Sequence, residues 1–264
     1  MGPLRLTEIW IYPIKSLGGI RLASSPVLQK GLRYDRRWML VDEHNTFMTQ
    51  RICPQMALFK VNLEDSHLSV THNRNTLRFP IQPPEGSLFN TGIWDDTVEV
   101  QKMDQETSNW FSEQLGITCT LVSFPEKNAR PVEPKSGRYQ EHVSLADAYP
   151  FLIVGEASLA DLNNRLKEPL PMNRFRPNFV FSGGLAFEED EWKNFRIGNN
   201  RFVGAKTCAR CAITTVNQDT AKMGIEPLAT LAHYRRRDNK VHFGQNVIAI
   251  DHGEIFEGDE IILE

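Results

Sequence analysis

The feature that most constrains the fold is the crowding of short β-type runs into the first part of the chain. Runs rich in β-branched and aromatic residues at 6–14, 37–41, 47–49, 57–63, 68–71 and 97–101 are separated by turn residues, among them Asp42-Glu43-His44-Asn45 and Asn73-Arg74-Asn75. Strands this short do not bury a face alone, and a strongly curved sheet or barrel covers them while limiting exposed edges. The spacing of Trp110, Phe111 and Leu115 ahead of Gly116 predicts a helix over 105–115, and 118–124 reads as the next strand.

The polar, proline-bearing stretch 125–140 is the candidate boundary or lid. Dividing the 264-residue chain there gives domains of 1–124 and 125–264. Beyond it, strands are expected at 149–154, 178–182, 195–197, 246–250 and 259–263, with helices at 158–166 and 227–236. The run Ala212-Ile213-Thr214-Thr215-Val216 reads as a strand because its β-branched residues favour one. The expected fold class is mixed, predominantly β with peripheral helices.

Composition narrows the function classes. The chain is 41% hydrophobic and 24% charged, ordinary for a soluble protein. No run approaches the roughly 18 apolar residues of a membrane helix, and Leu4-Arg5-Leu6-Thr7-Glu8 is not a basic stretch leading into an apolar one. A cytoplasmic monomer without membrane association is the expectation. A formal net charge of −3 gives no reason to expect a nucleic-acid partner. Arg235-Arg236-Arg237 and the group Arg33, Arg36 and Arg37 read either as solvated element ends or as phosphate contacts.

Four cysteines, Cys53, Cys119, Cys208 and Cys211, are too few to staple a chain of this size. Cys208-Ala209-Arg210-Cys211 has the spacing of half a zinc site or of a dithiol couple, and no second close pair completes a four-ligand zinc site. A dithiol motif usually sits at a helix N-terminus, whereas a strand is expected after Cys211. Inert, buried thiols are a third reading. Arg210 favours a thiolate beside it, and one soft thiolate suffices for a thiophilic metal if a cofactor supplies the other donors.

Seven pieces occur in a fixed order: Tyr12-Pro13-Ile14-Lys15-Ser16, Asp35-Arg36-Arg37-Trp38, Ser144-Leu145-Ala146-Asp147, Glu156-Ala157-Ser158-Leu159, Arg174-Phe175-Arg176-Pro177-Asn178, the cysteine pair with Thr214-Thr215-Val216, and Phe243-Gly244-Gln245-Asn246. Together, over nearly the full length, they make a chain that resembles the MOSC superfamily, in the group of the mitochondrial amidoxime-reducing component and its bacterial relatives. The resemblance implies a MOSC β-barrel domain, preceded by and packed against a smaller MOSC-associated β-barrel-like domain. It implies that Cys211 is the catalytic residue and the protein ligand to the metal of a molybdenum cofactor, with one pyranopterin dithiolene supplying the other sulfurs. Lys15, Ser16, Arg36, Asp147, Arg176 and Asn178 are implied to bind that cofactor, and Cys208 is a neighbour only.

The implied reaction is reduction of small N-hydroxylated substrates (amidoximes, hydroxylamines or N-hydroxylated bases) by oxygen transfer to molybdenum. Electrons would come from a separate reductase, ferredoxin or heme protein, since the chain has no Cys-x4-Cys-x2-Cys pattern for an iron–sulfur cluster. The alternative is a cofactor carrier or sulfur-transfer protein using Cys211. Tyr149, Trp38, Trp94 and Trp192 read as core residues, with a substrate platform as the alternative, and His142 and His242 read as structural, leaving no proton donor assigned. Gly244 permits either close approach to a ligand or a turn.

Overall fold

The first strand, Arg5–Ile11, is built into a sheet that otherwise belongs mostly to the second half of the chain. It pairs antiparallel with Phe179–Ser182 on one side, with Leu6 opposite Phe181, and with Ile20–Leu22 on the other. In the computed structural model, residues 2–82, 86–132 and 142–264 are described. Residues 133–140 of the expected boundary or lid segment lie outside them.

The large sheet has nine strands. Its order runs Ile261–Leu263, Asn194–Ile197, Asn200–Arg210, Lys240–Ala249, Phe151–Gly155, Phe179–Ser182, Arg5–Ile11 and Ile20–Leu22, with the short Arg236–Arg237 strand on Lys240–Ala249. Phe151–Gly155 and Phe179–Ser182 run parallel. A parallel pair needs a crossover, and the helix Glu156–Asn163 lies on it. Alternate inward residues, among them Leu6, Ile9, Phe151, Phe179, Phe195, Phe202 and Val247, form one buried core.

Apart from Ser24–Leu28 and Gly31–Leu32, which pair with each other and with Glu254–Phe256, the remaining N-terminal strands make a curled half-barrel. One sheet orders Trp38–Asp42, Cys119–Ser123, Asp96–Lys102 and Leu88–Ile93, and a meander is formed by Lys60–Glu64, His67–His72 and Asn75–Pro80. The helix Gln105–Leu115 closes over them, burying Phe111 with Phe59, Phe79 and Leu121. Its ends follow from local chemistry. The Asp104 carboxylate accepts the Thr107 N–H at 2.7 Å, and Gly116 leaves the helix at a φ of 67°. The result is a mixed fold, β-rich with peripheral helices, in which the curled N-terminal unit precedes the larger sheet.

Four sequence expectations change. Residues 47–49 form no strand beyond a single bridge from Phe47 to Val41. The start of 57–63 lies in the 3-10 turn Pro54–Leu58, where the proline sits in the first turn without a lost hydrogen bond. Residues 212–215 also form a 3-10 turn instead of a strand. The Thr214 and Thr215 hydroxyls donate back to the carbonyls of Cys211 and Ala212 at 3.0 and 2.8 Å, giving the backbone a local alternative to a ladder. Finally, Gly244 lies inside the ten-residue strand Lys240–Ala249 at a φ of 78°, where a Cβ would fall 2.9 Å from the Ile153 carbonyl oxygen. Its close approach is to a neighbouring strand and not to a ligand.

Candidate functional site

Cys211 stands where the strand Asn200–Arg210 ends and the turn Ala212–Thr215 begins. Two register shifts bend that strand, between Gly204 and Lys206 and between Thr207 and Ala209. The buried Arg174 guanidinium then pins the turn, donating to the Thr214 and Glu226 carbonyls at 2.8 and 3.2 Å. The thiol faces a cavity of about 290 Å³. All seven residues expected at the site line it: Lys15, Ser16, Arg36, Asp147, Arg176, Asn178 and Cys211.

Three of them reach the cavity on backbone that non-glycine residues seldom adopt, with φ values of 69° at Ser16, 48° at Arg36 and 53° at Arg176. Such conformations persist only where surrounding contacts over-determine them. Here the Arg36 N–H donates to the Tyr12 carbonyl at 3.0 Å, and the Leu145 N–H donates to the Arg36 carbonyl at 3.0 Å. Both guanidiniums lie over the Tyr12 ring, Arg36 at 4.5 Å and Arg176 at 4.1 Å. Burial pushes the Tyr12 phenol up to about 12, so the ring stays neutral beneath them.

The individual partners separate positioning from availability. Asn178 is spent on structure: its Oδ1 accepts from Arg36 Nη1 at 3.0 Å and from the Leu152 N–H at 3.2 Å, and its Nδ2 donates to the Trp10 carbonyl. Arg36 also bonds Asp35 at 2.5 Å. Lys15 donates to the Leu145 carbonyl at 2.8 Å and to Asp147 Oδ1 at 2.5 Å, leaving one of its three N–H groups for the cavity. Arg176 differs, because its buried guanidinium finds no hydrogen-bond acceptor among the described residues, and burial lowers its pKa to about 10. Thr49 Oγ1 and Arg210 Nε, both on cavity-lining residues, are buried polar atoms without a partner. Orphan donors of this kind fit an anionic, oxygen-rich group.

Charge agrees with that. Lys15, Arg36, Arg51, Arg176, Lys206 and Arg210 line the cavity against one carboxylate, Asp147. The basic cluster at 235–237 lies elsewhere and is structural, since Arg235 pairs with the buried Asp190 and Arg237 approaches the same carboxylate at 3.7 Å. Arg37 is buried against Glu126 and the Asp35 carbonyl, at 2.7 and 2.8 Å.

The four cysteines divide cleanly. Cys53 and Cys119 belong to the N-terminal core, and burial pushes both thiols up. Cys208 and Cys211 are half-buried, unbonded to each other, and on the cavity. Arg210 Nη1 donates to Cys208 Sγ at 3.0 Å, whereas Cys211 Sγ has Arg51 Nη1 at 3.9 Å. No group of three or more His, Cys, Asp or Glu suited to a metal occurs among the described residues. A metal held by Cys211 therefore takes its other ligands from outside this side-chain set.

Thr49, Arg51, Tyr149 and Lys206 also line the cavity. Two core expectations are corrected here: Tyr149 sits on the cavity wall with Lys206 Nζ 5.0 Å from its ring centroid, and Trp94 is 52% exposed. Trp38 and Trp192 are buried as expected. His142 and His242 line neither this cavity nor its neighbour, and His242 Nδ1 bonds the Thr207 hydroxyl at 2.9 Å.

Residues 3–118 match the MOSC N-terminal beta barrel domain and residues 140–262 match the MOSC domain. Mitochondrial amidoxime-reducing component 1 of Mus musculus is 33% identical over 98% of this chain and 82% of its own length. The rat mitochondrial amidoxime reducing component 2 is 33% identical over 89% of this chain and 74% of its own. Molybdenum cofactor sulfurase of Oryza sativa subsp. japonica is 33% identical over 97% of this chain, which spans about a third (33%) of that longer protein. Relatives that are mitochondrial by name overturn the expectation of a cytoplasmic protein. That expectation leaned on the lack of a long apolar run. The described residues contain no helix long and apolar enough to cross a membrane, which bears on helical spans and not on compartment.

Proposed function

The chain belongs to the MOSC-domain superfamily, pairing a MOSC N-terminal beta barrel domain with a MOSC domain, and from that premise we propose that it is a molybdenum-cofactor-dependent reductase of N-hydroxylated compounds. Amidoximes, hydroxylamines and N-hydroxylated bases are its substrate class, and a separate electron-transfer protein is its partner. One observation carries the reading: Cys211 shares a single cavity with Lys15, Ser16, Arg36 and Arg176.

In this reading the Cys211 thiolate is the one protein ligand to molybdenum, a soft donor for a metal whose other sulfurs come from the pterin dithiolene. Arg176 and Arg36 take the terminal phosphate with their guanidinium donors, Arg176 because it has no internal acceptor to give up. Lys15 and Ser16 bind pterin or phosphate oxygens. Asn178 acts one step back by fixing Arg36, and Asp147 holds the Lys15 ammonium in place and can accept from pterin nitrogens. When bound, the cofactor supplies the two-electron chemistry that removes oxygen from the N–O group. We place the domain boundary in the 125–140 segment, with the first strand crossing back into the second unit.

A second reading has its own support, since the matched rice relative is named a molybdenum cofactor sulfurase and aligns over nearly the whole chain. There Cys211 would carry sulfur to or from a bound cofactor. The two separate in one experiment on protein from cells that make the cofactor. Reduction of benzamidoxime by chemically reduced viologen supports the reductase. A persulfide on Cys211 without turnover supports the sulfur carrier.

A further inference from the structure

The cavity at Cys211 has a neighbour. A second one, about 1080 Å³, shares Asp147, Ala148, Ala209 and Cys211 with it. Trp94 lines only the second and Arg51 only the first, and the Arg51 guanidinium lies over the Trp94 ring at 4.1 Å. The stacked pair is thus a partition between two spaces, with Cys211 on the boundary of both.

Trp94 is held there against local preference. It occupies the first position of the two-residue turn joining Leu88–Ile93 to Asp96–Lys102, at a φ of 55°. That turn position favours glycine, and a bulky residue on left-handed backbone costs free energy. The indole is nonetheless fixed: its N–H donates to Asp147 Oδ1 at 3.1 Å, and Phe47 meets it edge-on at 5.6 Å. With three contacts it still leaves about half its surface, 52%, uncovered. A strained turn that carries a fixed, half-exposed indole on a cavity shared with Cys211 marks a recognition surface.

The charges of the second cavity differ from those of the first. Asp96 is neutralised by Arg130 at 2.6 Å and Asp147 by Lys15, while Asp95 and Glu99 balance Lys127 and Lys240. Among the described residues the charges of that wall balance, so it offers a polyanion no net attraction and leaves the ring contact to decide what binds. We infer that Trp94 is a specificity-determining residue: its indole receives the planar ring of an aromatic N-hydroxylated substrate, or of the amidine product, with the N–O end directed toward Cys211. This rests on the reductase reading and names the substrate subclass within it.

Benzamidine and acetamidine, a planar aromatic and a small aliphatic amidine, are the probes, titrated calorimetrically into purified protein of measured cofactor content. Benzamidine binds the wild type about tenfold more tightly than acetamidine, and Trp94→Ala abolishes that preference. Trp94→Phe keeps a ring, so its benzamidine affinity stays within about threefold, but it loses the benzamidine-induced quenching of tryptophan fluorescence. In turnover, Trp94→Ala raises the ratio of the KM for benzamidoxime to the KM for acetamidoxime about tenfold over the wild-type ratio. Equal affinities for the two probes in the wild type, or quenching that survives in Trp94→Phe, overturns the inference; the second outcome decides even if Trp94→Ala does not fold. Wild-type protein that reduces benzamidoxime while failing these tests refutes Trp94 alone. Protein that reduces no N-hydroxylated compound refutes the reductase reading.

Discussion

Lys15 Nζ and Asp147 Oδ1 meet at 2.5 Å although 132 positions separate them in the chain. Burial pulls the Lys15 ammonium down in pKa against the pull of Asp147. Burial pushes the Asp147 carboxyl up, but Lys15, the Trp94 N–H and Arg51 together outweigh it and hold the group well below the ordinary carboxylate range. A depressed carboxylate stabilises the fold fully above its unfolded pKa of about 4, and that stability is lost as pH falls through the folded value. The lysine acts in the opposite sense, costing stability while protonated, with relief as pH rises through its lowered value. Because the Asp147 side chain is 57% exposed at the cavity mouth, solvent screens part of the effect.

Asp147→Asn therefore lowers the melting temperature at pH 7 by a few degrees, about 1 kcal/mol or less after screening. The gap between wild type and variant is constant from about pH 7 to 5 and narrows below about pH 4. Thermal melts across that range check it, and a gap that widens on acidification contradicts it.

Arg176 is a charge held ready at a cost to the fold. Replacing it by methionine removes a buried guanidinium that has no internal acceptor, so Arg176→Met raises the stability of cofactor-free protein by roughly 1 kcal/mol in urea unfolding. The same variant loses most of its cofactor on purification. Retained pterin in Arg176→Met would place the phosphate elsewhere.

The amides of Gln50 and Gln218 form a reciprocal buried pair, at 3.1 and 2.8 Å, and tie the loop bearing Arg51 to the segment that follows Cys211. Gln218→Leu leaves the buried Gln50 amide oxygen without its donor, although the Gln50 N–H still reaches the Ser16 carbonyl, and costs about 1–3 kcal/mol, while the double variant with Gln50→Leu recovers part of that loss. Additive losses in the double-mutant cycle would mean that the pair is not coupled.

The sequence was most readable where local chemistry decides the outcome. The helix Gln105–Leu115 has a capping aspartate at one end and a glycine at the other, and both ends fall where expected. The strand expected after Cys211 failed because threonine hydroxyls turned back onto the local backbone, a contest that β propensity does not register. The pairing of Arg5–Ile11 with Phe179–Ser182 was hidden because register between distant strands leaves no local signal. Of the residues around Cys211, Lys15, Arg36 and Arg176 were singled out by motifs, whereas Arg51 was not and Trp94 was read as core. Each sits in a connection whose position depends on the assembled sheets, and Trp94 departs from the residue its turn favours.

The central claim is that Cys211 alone among the cysteines ligates the metal. The most direct measurement is molybdenum and pterin per chain in wild type, Cys208→Ser and Cys211→Ser, each purified from cells competent in cofactor synthesis. A sole Cys211 ligand predicts about one molybdenum per chain in the wild type, near-normal content in Cys208→Ser, and loss of most of the metal in Cys211→Ser. Equal molybdenum in wild type and Cys211→Ser, or zinc lost from both variants, would contradict it.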